Sequence, residues 1–307
     1  MLVQVGPRGA LSAARRSPPG PRMDLILNNP FAPVLATSIA AALVLAAAAR
    51  LTGSGWISTL AAPVVFLAGY VSTYQKIPPF PPVGASNKVF YVALVAMLGA
   101  AVGETVRIPR WGLAGAASLL AAAWVGSAKL AVPDAATLMA FAALVVGGGV
   151  ALWGLDRLAT LAPPFGGEAT ALAGLAAISA LAAPTLLFGG SSTGVGLCLA
   201  LAAGAAVLSV EALGQRRGLG SAAMLGAGGG LLAALDTIGL VTRRADPLAL
   251  ALIALAPFLG PCAVCLLPPA LRKRPAVTWF VSGLAILSPL PVIVALLMLR
   301  HDNPFGP

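Results

Sequence analysis

The sequence predicts an all-α polytopic integral membrane protein of about ten transmembrane helices, with an internal parallel repeat that matches helices 2–5 to helices 6–9. Three observations carry this expectation. Hydrophobic residues make up 59% of the 307 and charged residues 9%, with a mean hydropathy of +0.95. A soluble domain of that composition could not cover itself with polar side chains, so the natural solvent is lipid. Second, the chain holds ten mostly apolar runs near the length of about 20 residues that a spanning helix needs. Third, the stretch from Gly204 to Arg244 echoes the one from Gly99 to Lys129.

Residues 1–22, MLVQVGPRGALSAARRSPPGPR, differ from everything after them: four Arg, four Pro and no acid. They read as a basic disordered tail or as a start assigned too early, because Met23 opens a plausible chain of its own. Residues 23–307 then form a single transmembrane helical domain. The pair Arg15-Arg16 lacks the usual sequel of a twin-arginine signal, and the apolar run that follows reads as a first spanning helix.

The runs fall near 31–49, 56–74, 89–106, 111–132, 135–155, 168–188, 192–212, 219–240, 247–270 and 276–299. Each boundary carries a charge, a proline or an interfacial aromatic, such as Arg50, Trp56, Tyr74, the pair Arg110-Trp111 and Arg300. The 35 glycines predict helix contacts made through small residues. Connections are short. The longest, QKIPPFPPVGASNK from Gln75 to Lys88, has four prolines around Phe80, which predicts a stiff extended turn at the interface.

An even number of crossings places both termini on one face. Loops on the amino-terminal side, counted from Met23, hold Lys76, Lys88, Lys129, Arg243, Arg244 and Arg300, six in all. The other side holds Arg50, Arg107, Arg110, Arg157, Arg216, Arg217, Arg272, Lys273 and Arg274, nine in all. The positive-inside rule therefore favours external termini from a Met23 start and loses its preference when the four arginines of residues 1–22 are added.

Both echoing stretches run GAAV, then a glutamate, then basic residues, then an apolar Gly/Ala helix with one charge near its far end. A shift of 107 lays Glu104 on Glu211, Arg110 on Arg217 and Lys129 on Asp236. STLAAP at 58–63 and SALAAP at 179–184 set the phase, with helix 2 on helix 6. Four crossings per copy give copies that point the same way. Matched positions would then lie at equal depth, and Lys129 and Asp236 are expected to pair or to line one cavity.

Charges in lipid are costly, about 2.5–3.5 kcal/mol each at the centre of a helix on insertion scales. Lys129, Asp236, Glu104 and Glu211 are therefore the substrate or coupling candidates. The bland alternatives are a lysine that snorkels to the interface and glutamates that pair locally with Arg107, Arg110, Arg216 and Arg217. Cys262 and Cys265 form a Cys-x-x-Cys after Pro261 and are redox candidates; cysteine is also an ordinary small apolar residue in lipid-embedded helices. One histidine, His301, excludes a histidine-based metal cluster or a Ser-His-Asp triad, so no metal and no cofactor is expected. The runs Gly147–Gly149 and Gly226–Gly230 lie inside apolar helices and read as packing faces, not phosphate cradles.

The net charge of +10 comes from singles and pairs of Lys and Arg between apolar runs, the pattern of membrane loops and not of a nucleic-acid stripe. The expected partners are the lipid bilayer and a membrane protein or second copy, with no nucleic acid, and the expected site is a bacterial inner (plasma) membrane. No motif assigns a named family. The functional reading is a small-solute transporter or permease; the alternatives are a non-catalytic membrane scaffold and a membrane thiol-disulfide carrier. An enzyme is the less favoured class.

Overall fold

The computed structural model describes residues 29–160, 167–213 and 221–300, and these are helical with short connections and no strand. The helices are α1 (Ala32–Thr52), α2 (Gly55–Tyr74), α3 (Ala85–Val106), α4 (Arg110–Val125), α5 (Ala135–Thr160), α6 (Gly167–Phe188), α7 (Ser192–Ala212), α8 (Ser221–Asp236), α9 (Pro247–Leu266), α10 (Pro275–Leu287) and α11 (Leu290–Arg300). The chain is an integral membrane protein by this architecture: among the described residues, nine helical segments have the length and hydropathy of a crossing.

The fourth of the expected spans is shorter than the others. Helix α4 has 16 residues, about 24 Å at 1.5 Å per residue, which falls short of a hydrocarbon core of about 30 Å. Gly126 turns the path (φ −78°, ψ 0°) into a separate short helix, Ser127–Leu130. The segment still runs from one end of the bundle to the other. Arg110 at its start pairs with Asp156 near the end of α5, and at its far end Ser127 Oγ accepts a hydrogen bond from Lys88 Nζ at 2.7 Å.

Elsewhere the boundaries follow local chemistry. Helix α3 begins at Ala85, four residues before the expected 89, because the proline segment ends at Gly84. Helix α9 stops at Leu266, before Pro268-Pro269, where a proline restricts the preceding residue to extended backbone. The last span breaks at Ser288-Pro289 into α10 and α11, whereas Pro63, Pro184, Pro257 and Pro261 sit inside continuous helices. The proline connection is fastened by Tyr91, whose hydroxyl donates to the Pro78 carbonyl at 2.8 Å, and Phe80 packs edge-on to the Tyr91 ring at 5.5 Å.

Helices α6, α7 and α8 form the centre, and α1, α5, α9 and α10 the periphery. Small residues set these contacts. A methyl placed on Gly226 would lie 2.8 Å from Met97 Cβ and 2.9 Å from Pro63 Cβ, Gly230 faces the Phe66 ring, and Gly204 faces Val65. The run Gly226–Gly230 is thus a packing face, and in the run Gly147–Gly149 Gly148 admits Leu232 in the same way. Leu43, Val44, Met139, Val146, Leu255, Phe280 and Leu284 are exposed on the peripheral helices, an apolar surface suited to lipid and not to water.

The four helices of each expected repeat do not pack alike. Helices α6 and α7 form an extensive pair while α2 and α3 touch sparingly, and α4 lies along α5 with no comparable contact between α8 and α9. Glu104 and Glu211 lie at the ends of α3 and α7 on one side of the bundle, because Glu211 pairs with Arg50 at the end of α1 and the helices alternate in direction. Residues 1–22, Arg216 and Arg217 lie outside the described residues.

Candidate functional site

Helix α8 is wrapped by α2 to α6, a position its glycines and alanines allow because they let neighbouring helices approach closely. Its α-helical hydrogen bonding ends at Asp236 and gives way to a π-helical turn over Thr237–Val241. Such turns insert a residue into the helical register and often occur at functional positions. Thr242 N–H reaches back to the Thr237 carbonyl at 3.1 Å and Arg244 N–H to the Ile238 carbonyl at 2.9 Å. Gly239 within the turn lets Leu144 of α5 approach, where a methyl would sit 2.8 Å from Leu144 Cδ1.

Beside this turn a cavity of about 600 Å³ lies between α5, α8 and α9. Ala140, Leu144 and Gly147 of α5, Leu232 and Leu235 of α8, and Leu250 and Ile253 of α9 are among its walls. Every lining side chain is hydrocarbon or glycine except Asp236 and Arg243. The size and the apolar wall with few polar groups are those of a small-molecule site. The cavity reaches the bundle periphery, where the lining residues Val146 and Leu255 are 65% and 58% exposed. Ser118 of α4 donates to the Val145 carbonyl at 2.8 Å and fixes the outer wall helix to the core.

Asp236 is 3% exposed and has no hydrogen-bond or ion-pair partner among the described residues. Arg243 is engaged elsewhere. It donates to Asp134 Oδ1 at 2.9 Å and to the Thr137 hydroxyl. Asp134 also accepts from the Thr137 amide at 2.7 Å, capping the first turn of α5. The Thr137 hydroxyl and amide and the Arg243 guanidinium together lower the Asp134 carboxyl to a pKa of about 2. Arg243 holds a left-handed backbone (φ 55°), uncommon outside glycine, where the chain turns from α8 toward α9. One end of the cavity is thus bounded by an ion pair that links α5 to the α8–α9 connection.

At the same end of the bundle, Asp246 caps α9 by accepting from the Leu248 and Ala249 amides at 2.8 and 3.1 Å, and pairs with Arg300 at 2.8 Å. Burial raises its carboxyl pKa, but those amide bonds and the Arg300 guanidinium outweigh burial and leave it below the ordinary value.

The expected pairing of Lys129 with Asp236 is corrected. Lys129 is exposed in the short helix after Gly126, does not line the cavity and makes no ion pair with Asp236. The physical reason is the break at Gly126, which carries Lys129 out of α4 to the bundle end, where a lysine is readily hydrated. Glu211 is paired with Arg50, and both it and Glu168 line a much smaller pocket on the opposite side. Glu104 is half-buried at the end of α3 and lines neither pocket. Cys262 and Cys265 are exposed free thiols on α9, and Cys198 is a buried free thiol on α7. No cluster of His, Cys, Asp and Glu suited to a metal occurs among the described residues.

Asp134, Thr137 and Arg243 carried a signal that the sequence reading passed over. Asp-x-x-Thr before an apolar run marks a helix start, as does Asp246 before Pro247. No protein-family model, curated protein or solved structure matches this chain.

Proposed function

We propose that the protein is a small-solute transporter or permease whose solute site is the cavity between α5, α8 and α9. The observation that carries this reading is a buried, unpartnered Asp236 at the wall of a 600 Å³ apolar cavity. An intramembrane acid is costly to keep and is retained where it meets a solute or an ion. The break in regular hydrogen bonding at Thr237–Val241 adds a local weak point beside the acid, and the peripheral opening gives a route from the bilayer. Among the charged candidates named from the sequence, Asp236 is retained as the solute-contacting residue; Lys129, Glu104 and Glu211 belong to the bundle ends.

The test uses proteoliposomes loaded with a defined mixture of labelled small apolar and amphiphilic solutes, with release followed by mass spectrometry. The reading predicts release of a subset that depends on wild-type protein and is abolished by Ala251→Trp, which fills the cavity. Release equal to that of protein-free liposomes, or unchanged by Ala251→Trp, contradicts it.

A further inference from the structure

Resting on that assignment of the cavity, we infer that its ligand is a bulky lipophilic monocation, an alkyl or aryl ammonium or phosphonium, with Asp236 as its counter-charge. Apart from Asp236 and Arg243, the lining side chains contribute hydrocarbon contacts only. Asp236 has no partner among the described residues, and the other charged group on the wall, Arg243, is held by Asp134 and Thr137. In its ionised form Asp236 therefore leaves the site short of one positive charge.

The chemistry of that charge follows from what surrounds it. Alkali and divalent cations are strongly hydrated and need about six oxygen ligands to replace their water. Asp236 is the lone oxygen-bearing side chain among the described lining residues, so the side chains alone supply one carboxylate towards such a shell. A cation whose charge is buried under alkyl or aryl groups has little hydration to lose and presents the hydrophobic surface that Leu232, Leu235, Leu250 and Ile253 can cover. The peripheral opening between Val146 and Leu255 suits a ligand that partitions into the bilayer before it binds.

Equilibrium binding to purified full-length protein in detergent tests this with tetraphenylphosphonium, its near-isosteric anion tetraphenylborate and neutral triphenylphosphine oxide. The inference expects the cation to bind the wild type at least tenfold more tightly than the anion. Asp236→Asn weakens the cation at least tenfold and leaves the neutral compound unchanged, Asp236→Glu keeps the cation preference, and Ala251→Trp removes binding. The wild-type comparison of cation with anion stands even if a variant fails to fold. Equal binding of cation and anion, or a cation affinity indifferent to Asp236→Asn, overturns the charge assignment; retained binding of the neutral compound that is lost in Ala251→Trp leaves the cavity as a solute site. Absence of binding by all three compounds overturns the inference, and solute release in the proteoliposome assay then decides separately whether the transporter reading falls with it.

Discussion

Arg243 and Asp134 meet at 2.9 Å across one end of the cavity, joining the connection after α8 to the first turn of α5. They are 109 positions apart in sequence, so the contact is a tertiary fastening between two walls of the same cavity. Thr137 closes the group by donating its amide to Asp134 and accepting from Arg243.

This fastening has a definite pH dependence. Asp134 is lowered from an ordinary 3.8 to about 2. A depressed acid contributes stability that is present above its unfolded pKa and is lost as pH falls through the folded one. Amide exchange over residues 134–138, corrected for the intrinsic pH effect, should stay constant from neutrality to about pH 4. It should then rise as pH approaches 2. Arg243→Gln should show raised exchange already at neutral pH; unchanged exchange in that variant contradicts the fastening.

Asp246 should act chiefly as a helix cap. Asp246→Ala removes the acceptor for two amides and the partner of Arg300, and should lower stability in detergent by roughly 1–2 kcal/mol. Asp246→Asn keeps the cap and should cost about half as much. Equal losses in thermal unfolding would show that the ion pair dominates.

Glycines at the centre are predicted to be intolerant of even one methyl. Gly230→Ala collides with the Phe66 ring and Gly204→Ala with Val65, and each should cost about 1–3 kcal/mol. Gly115→Ala, with open space beside it, should be neutral or slightly stabilising by roughly 0.5 kcal/mol. A uniform response across the three variants in thermal unfolding contradicts the packing account.

Cys262 and Cys265 should be dispensable. Both are exposed free thiols on α9, and cysteine is an ordinary small apolar side chain in lipid-embedded helices. Replacing both with Ser should leave expression and solute release near wild type. Loss in each single variant, with a disulfide recovered after oxidation, would restore the redox reading.

Much of the helical plan was legible because lipid imposes a simple rule: a crossing needs about 20 apolar residues and a polar or proline boundary. That rule located α1, α2, α6 and α7 closely, and the run Gly226–Gly230 was legible as a packing face. It failed at Gly126, where hydropathy continues through a break that only backbone conformation reveals. Asp236 was legible as an isolated acid in an apolar helix. Its supposed partner was not, because the pairing with Lys129 assumed a straight α4 and a packing symmetry that α8 and α9 do not share with α4 and α5. The cavity arises where α5 meets the consecutive helices α8 and α9, far from it in sequence, and leaves no local pattern.

Cysteine accessibility measures whether the cavity beside Asp236 admits solute. In a background with Cys198, Cys262 and Cys265 replaced by Ser, cysteine is introduced singly at Ala254 on the cavity wall or at Ala182 in the packed core of α6. The two positions are both buried, at 9% and 0% exposure, so burial by itself predicts that neither reacts. N-ethylmaleimide should label Ala254→Cys readily, Ala251→Trp added to it should suppress labelling, and Ala182→Cys should stay unreactive. Ala254→Cys as inert as Ala182→Cys in folded protein would contradict solute access to the cavity.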